Sequence, residues 1–153
     1  MNISRIYLDT SVFGGYFDPE FDRATQRLFE QIAAKQFIPV VSDIVAVELI
    51  KAPQYVQDML ANSDIAWQHV AETTETLALA HEYINAGILG IKWLDDCRHV
   101  AVATVYRVDM IVSWNFRHIV HYDKIRAFNR VNIGNGYQSM EIRSPSEVID
   151  YDE

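Results

Sequence analysis

Asp95-Asp96-Cys97-Arg98-His99-Val100-Ala101-Val102-Ala103-Thr104-Val105-Tyr106-Arg107-Val108-Asp109-Met110-Ile111-Val112-Ser113-Trp114-Asn115-Phe116-Arg117-His118 is the stretch whose reading decides the fold. Two acids open a helix, where the helix dipole favours negative charge. Cys97, Val100, Ala101, Thr104 and Val105 form its apolar face. Val108 to Val112 then reads as a buried strand that stops at the polar residues Ser113 and Asn115. A helix feeding a strand that ends in polar groups is how α/β folds place ligands, outside the carboxyl ends of parallel strands.

Towards the N-terminus the same alternation continues. Ile3 to Leu8 predicts a strand ending at Asp9-Thr10-Ser11, and Phe13-Gly14-Gly15-Tyr16 predicts a loop. Asp18-Pro19-Glu20 resembles a cap, a first-turn proline and an early acid, so a helix is expected to start there and carry Phe21, Ala24, Leu28 and Ile32 on one face. Phe37 to Val41 is a second strand, with Pro39 suited to an edge or end position. Ser42 and Asp43 cap a helix over Ile44 to Ile50, and Pro53 starts another through Leu60. Ile65 to Val70 is a weaker strand. Glu72 to Ala86 predicts a helix with Leu77, Ala80, His81 and Ile84 on one face, stopped by Gly87.

Towards the C-terminus, Ile119, Tyr122, Ile125 and Phe128 predict a helix and Gly134-Asn135-Gly136 a turn. Met140 to Arg143 is a last strand, followed by the capping box Ser144-Pro145-Ser146-Glu147. Repeats, linkers and low-complexity tracts are absent from the 153 residues. The expectation is one α/β domain over residues 1–153 with a mainly parallel sheet.

Composition narrows the function. Half the residues are hydrophobic, which excludes a disordered chain. One cysteine leaves no internal disulfide and suits a reducing cytoplasm. No apolar run is long enough to cross a membrane, and no leader-like segment opens the chain. The formal charge of −8 argues against holding nucleic acid or an anionic membrane by charge alone, unless a bound cation or local basic patch reverses the sign.

Among the 21 acids three stand where solvation does not explain them. Asp9 ends an interior strand, although a turn or cap role would serve as well. Glu48 has apolar neighbours along its helix, which predicts a helix buried all round and a carboxylate paired with an arginine or a metal. Of the Asp95-Asp96 pair one acid suffices as a cap; Asp95 takes that role and Asp96, beside the apolar face, turns to the sheet end. Carboxylates converging there repel: at about 4 Å and an effective dielectric of roughly 20 each pair costs about 4 kcal/mol. A cation relieves that cost, and oxygen ligands without cysteine select Mg²⁺ or Mn²⁺, the metals of phosphodiester hydrolysis.

The ordered set Tyr7-Leu8-Asp9-Thr10-Ser11-Val12, Ser42 through Glu48 to Ile50, Asp96 to Ala103, Val108 to Ile119, Gly136-Tyr137 and Ile142 to Ile149 resembles the PIN-domain family, in particular VapC-like toxin ribonucleases. The resemblance implies a three-layer α/β/α sandwich and an acidic pocket that binds Mg²⁺ or Mn²⁺ and cuts single-stranded or structured RNA. Asp9, Glu48 and Asp96 match three of the family's acids, as catalytic residues and metal ligands. The position of the fourth holds Asn115, which offers a neutral carbonyl oxygen and cannot act as a base. Ser113 is expected either to ligate through water or to orient Asp9, and Arg117 and His118 to contact phosphate unless they are ordinary loop residues. Trp114 and His99 are expected in the core. A small antitoxin and a homodimer follow from the resemblance alone.

Two other readings use the same residues. An aspartate-nucleophile phosphatase also closes its first strand with Asp, but wants a second Asp where this chain has Ser11. A PIN-like scaffold that binds RNA or a protein without cutting would be consistent with Asn115.

Overall fold

The computed structural model describes residues 3–151. Arg5–Leu8 (β1) is short and apolar, and its Ile6, Tyr7 and Leu8 are wholly buried, as expected of a strand covered on both faces. Ile38–Ser42 (β2) and Met110–Val112 (β4) flank it, with Gln68–Val70 (β3) and Glu141–Arg143 (β5) at the edges. All four pairings are parallel and the order is β3-β2-β1-β4-β5. Pro39 is tolerated inside this sheet for a geometric reason. Ile38 donates its N–H to Ser4 on the β1 side, so the next residue faces the β3 side, where pairing begins only at Val40.

Parallel strands need crossovers, and helices supply them. Thr10–Gly15 (α1) and Asp22–Ala33 (α2) join β1 to β2; Asp43–Leu49 (α3), Gln54–Gln57 (α4) and the 3₁₀ turn Asp58–Ala61 join β2 to β3. Thr74–Asn85 (α5), the 3₁₀ turn Ile91–Trp93 and Leu94–Val105 (α6) lead back to β4, and Tyr122–Gly134 (α7) leads to β5, before Pro145–Val148 (α8). The chain winds outward from β1 one way, crosses back, and winds outward the other way. Right-handed crossovers then place the two helix sets on opposite faces. α5 packs on α6 and α7, and α2 on α1 and α8, which completes the expected three-layer α/β/α sandwich. The winding reverses between β1 and β4, the position at which such sheets open a crevice.

Several local expectations are corrected. Residues 13–16 are not a loop: Thr10–Gly15 is helical, with Val12 and Phe13 buried and Gly15 pressed against Trp114. The α2 helix begins at Asp22, because Asp18 builds a turn instead, its carbonyl accepting from Phe21 and Asp22 and its Oδ1 from the Glu20 N–H. α5 buries Thr76, Leu79, Ala80 and Tyr83, leaving Leu77 and His81 outside. α3 is half-exposed, with Val47 and Ile50 in solvent, so Glu48 lies at a boundary and not in an apolar surround. The Gly87 stop and the Ser144–Glu147 capping box are where they were expected.

Candidate active site

The ends of β1 and β4 are tied together by two serines. Asp9 follows β1 with extended backbone and does not cap α1 with its side chain. Its carboxylate accepts instead from Ser11 Oγ (2.6 Å) and Ser113 Oγ (2.9 Å). The same hydroxyl oxygens accept backbone N–H groups from Trp114 and Asn115, both at 2.9 Å. Asp9 is only 4% exposed. Burial pushes its carboxyl above the usual range and Asp96 adds to this, while the His99 charge and the two hydroxyls offset part of it.

Glu48 reaches the same end of the sheet from α3, which Ser42 caps by accepting the Ile44 N–H. Its Oε1 accepts from Thr10 Oγ1 (2.5 Å) and lies 2.6 Å from His99 Nε2, so its partner is a histidine and not an arginine. His99 is buried in α6, and its Nδ1 is 2.7 Å from the Tyr7 hydroxyl, which in turn lies 2.8 Å from Ser42 Oγ. His99 is thus a satisfied core histidine, as expected, and also the support of Glu48. Burial pulls the imidazole down, but the Glu48 hydrogen bond and the charges of Asp9, Glu48 and Asp96 outweigh it, and the net shift is upward. Burial pushes Glu48 up, yet the His99 bond and charge and the Thr10 hydroxyl leave it below the usual range. Both shifts favour the charged pair, and all three acids act on one buried histidine.

α6 starts one residue before its acids. Trp93 is the N-cap residue, so Asp95 is not the cap; it pairs in solvent with Arg98 (2.7 Å), which also grips Glu72. Asp96 turns inward and its Oδ2 lies 2.7 Å from His118 Nδ1. Asn115 Oδ1 accepts the His118 N–H (2.9 Å), a turn that carries the chain away from β4 and sets that histidine against Asp96. Arg117 is exposed, whereas His118 is buried. Trp114 is core, stacked on Phe21 and donating Nε1–H to Thr25 Oγ1 (2.8 Å).

Glu48, Asp96 and Asn115 line one cleft of ≈ 440 Å³ with Lys92, Trp93, Arg117 and His118. Asp9 lies behind it. A larger hollow of ≈ 690 Å³, between the start of α2 and the C-terminal segment, holds none of these acids. Among the described residues no group of three or more Asp, Glu, His or Cys side chains is arranged so that it could hold a metal ion. The donor chemistry fits a hard divalent ion all the same: carboxylate and amide oxygens border the cleft, and the buried Asp9 is repelled by Asp96. What the arrangement lacks is a closed set, because Glu48 and Asp96 are turned onto His99 and His118. Tyr7, Thr10 and His99 were not singled out as site residues. His99 stands three positions after Asp96, a spacing that puts it on the same side of α6.

A five-stranded parallel sheet in this order, with acids at the reversal between β1 and β4, is a PIN-like fold. The chain is similar over 92% of its length to 98% of a chain in the crystal structure of VapBC2 from Rickettsia felis bound to a DNA fragment from their promoter, at 15% identity and a TM-score of 0.60. No family model and no curated protein sequence matches it.

Proposed function

We propose that the protein is a metal-dependent endoribonuclease and the toxin of a toxin–antitoxin pair. The observation that carries this reading is that Asp9 follows β1 and is tied to the β4 end by Ser113, while Glu48 from α3 and Asp96 from α6 line one cleft at that same sheet end, where the winding reverses. The PIN-like fold supports it.

Asp9, Glu48 and Asp96 would hold Mg²⁺ or Mn²⁺. When bound, the ion supplies charge neutralisation at a phosphodiester and a water nucleophile. The chain's own residues hold the ligands: Ser11 and Ser113 fix Asp9, His99 and Thr10 fix Glu48, and His118 fixes Asp96. Asn115, where a fourth acid would stand, contributes by orienting His118 and takes no proton. Arg117 is exposed at the cleft and suited to a phosphate; His118 is committed to Asp96 through Nδ1.

The test is cleavage of RNA in Mg²⁺ and in Mn²⁺. Asp9→Asn and Asp96→Asn are each expected to lower the rate by roughly a hundred-fold or more. Activity that survives both substitutions rejects the reading. A second reading, a PIN-like scaffold that binds without cutting, is favoured by the engagement of the Asn115 oxygen with a backbone N–H, and predicts no cleavage in either metal. The antitoxin proposal calls for co-purification with the product of an adjacent small gene, and the homodimer for a doubled mass in solution. Among the described residues no helix is long and apolar enough to cross a membrane.

A further inference from the structure

The acids do not account for the indole at the cleft mouth. Trp93 ends the 3₁₀ turn Ile91–Trp93 and begins α6, three positions before Asp96. It is half-buried against the core, with the His118 ring tilted against it (centroids 4.4 Å apart, planes at 47°). Two cations also lie over this ring: Lys92 Nζ at 5.1 Å from its centroid and the Arg117 guanidinium at 5.6 Å. They come from segments far apart in the chain, and both side chains belong to exposed residues. An isolated cation–aromatic contact is common on protein surfaces. Two on one ring place a pair of positive charges on an aromatic surface at the edge of a cleft that Glu48, Asp95 and Asp96 otherwise make acidic.

We propose that Trp93 is a stacking platform for an unpaired nucleobase, with Lys92 and Arg117 clamping the phosphates on either side of it. Resting on the ribonuclease reading, this assigns Trp93 as the residue that positions an unpaired stretch of the RNA at the cleft. Exposed cation–aromatic contacts are weak, so an incoming base displaces the two cations from the ring, and they are then within reach of its backbone. A base within a duplex has both faces covered by its neighbours and offers none to the indole. Sequence tolerance is expected, because every base has a π-face. The acids repel phosphate and the Lys92–Trp93–Arg117 edge attracts it, so the strand enters along that edge.

The experiment uses the whole chain, an eight-nucleotide single-stranded RNA and a blunt duplex of the same sequence, with Ca²⁺ for binding and Mn²⁺ for cleavage. Single-stranded RNA is expected to quench tryptophan fluorescence. Trp93→Phe keeps affinity within about three-fold but loses most of the quench, and its urea unfolding curve checks that it is folded. Trp93→Ala raises both Kd and KM about ten-fold or more, a larger factor than any fall in kcat. Lys92→Ala and Arg117→Ala each reduce the salt dependence of binding by about one charge. Unchanged binding in Trp93→Ala overturns the platform, as does duplex binding as tight as that of the single strand. Failure of the two readings is separable: quenching without cleavage keeps the platform and rejects the ribonuclease, while cleavage with unchanged KM in Trp93→Ala does the reverse.

Discussion

Replacing Gly15 by alanine tests how tightly the site's two strands are joined. A Cβ built on Gly15 would lie 2.6 Å from both Cδ1 and Nε1 of Trp114 and 3.0 Å from Thr25 Oγ1. Neither neighbour yields freely, since Trp114 is buried, stacked on Phe21 and hydrogen-bonded to the wholly buried Thr25. Overpacking of this kind costs about 1–3 kcal/mol, and a weakened Trp114–Thr25 bond adds about 0.5–1.5 kcal/mol. Better helix propensity returns up to about 1 kcal/mol. The net loss is about 0.5–4.5 kcal/mol, or, at roughly 3 °C per kcal/mol for a chain of this size, a fall in Tm of about 2–13 °C. Gly14 is the control, because a Cβ there meets nothing within 4 Å. Gly14→Ala is expected to be neutral or stabilising by up to about 1 kcal/mol. Urea unfolding followed by circular dichroism measures both, and Trp114→Phe in the Gly15→Ala background should restore part of the loss through a coupling of about 0.5 kcal/mol or more. Because Trp114 lies between Ser113 and Asn115, cleavage should fall along with stability. If Gly15→Ala matches Gly14→Ala in stability, the close packing of α1 against the β4 end is refuted.

Three further outcomes follow from the site. Asp9→Asn keeps the shape and removes a buried charge that Asp96 repels, but its NH2 faces a serine hydroxyl that must turn to accept from it, with the other serine's oxygen in reach of the turned hydroxyl; in chelator it should raise Tm even as it abolishes cleavage, and a lower Tm in thermal melts would contradict this. His99→Phe strips Glu48 of a partner and takes one from the Tyr7 hydroxyl, at a cost of about 1–3 kcal/mol in urea unfolding, and wild-type stability would exclude the Tyr7–His99–Glu48 chain as described. Cys97 is fully buried, and burial first, then Asp96, pushes its thiol up to about 12; it should resist a disulfide reagent at pH 8 in the native state and react at once in denaturant, and rapid native labelling would disprove its burial.

The fold was legible because strand and helix periodicities alternate and each strand end carries polar residues. Asp9, Glu48 and Asp96 stand out in the sequence for separate reasons, as an acid closing a strand, an acid in an apolar run and a second acid at one helix start, and of these the apolar surround of Glu48 is the one the structure corrects. The errors share a physical cause. Asp18-Pro19-Glu20 carries cap chemistry, but the same groups close a turn equally well, and here they do so four residues before the helix. Phe13-Gly14-Gly15 reads as loop by propensity, and tertiary packing of Phe13 and Gly15 makes it helical. Asp95 was read as a cap because the helix was started at the acids, whereas the 3₁₀ turn through Trp93 brings the start forward. The roles of Tyr7, His99 and Trp93 depend on partners 25 to 92 positions away, and no local pattern encodes those distances.

The central place of β1 has a bearing on synthesis. Leu8 pairs with Val112, so the edge on which Asp9 stands waits for more than a hundred further residues before it is closed. A nascent chain that has made β1, β2 and β3 carries Asp9 and Glu48 but neither Asp96 nor the serine of β4 that clamps Asp9. The site cannot be assembled piecemeal during translation. A chain ended before β4 would lack both the strand that pairs with β1 and the serine that clamps Asp9, so the arrangement of the acids is completed only when β4 joins the sheet.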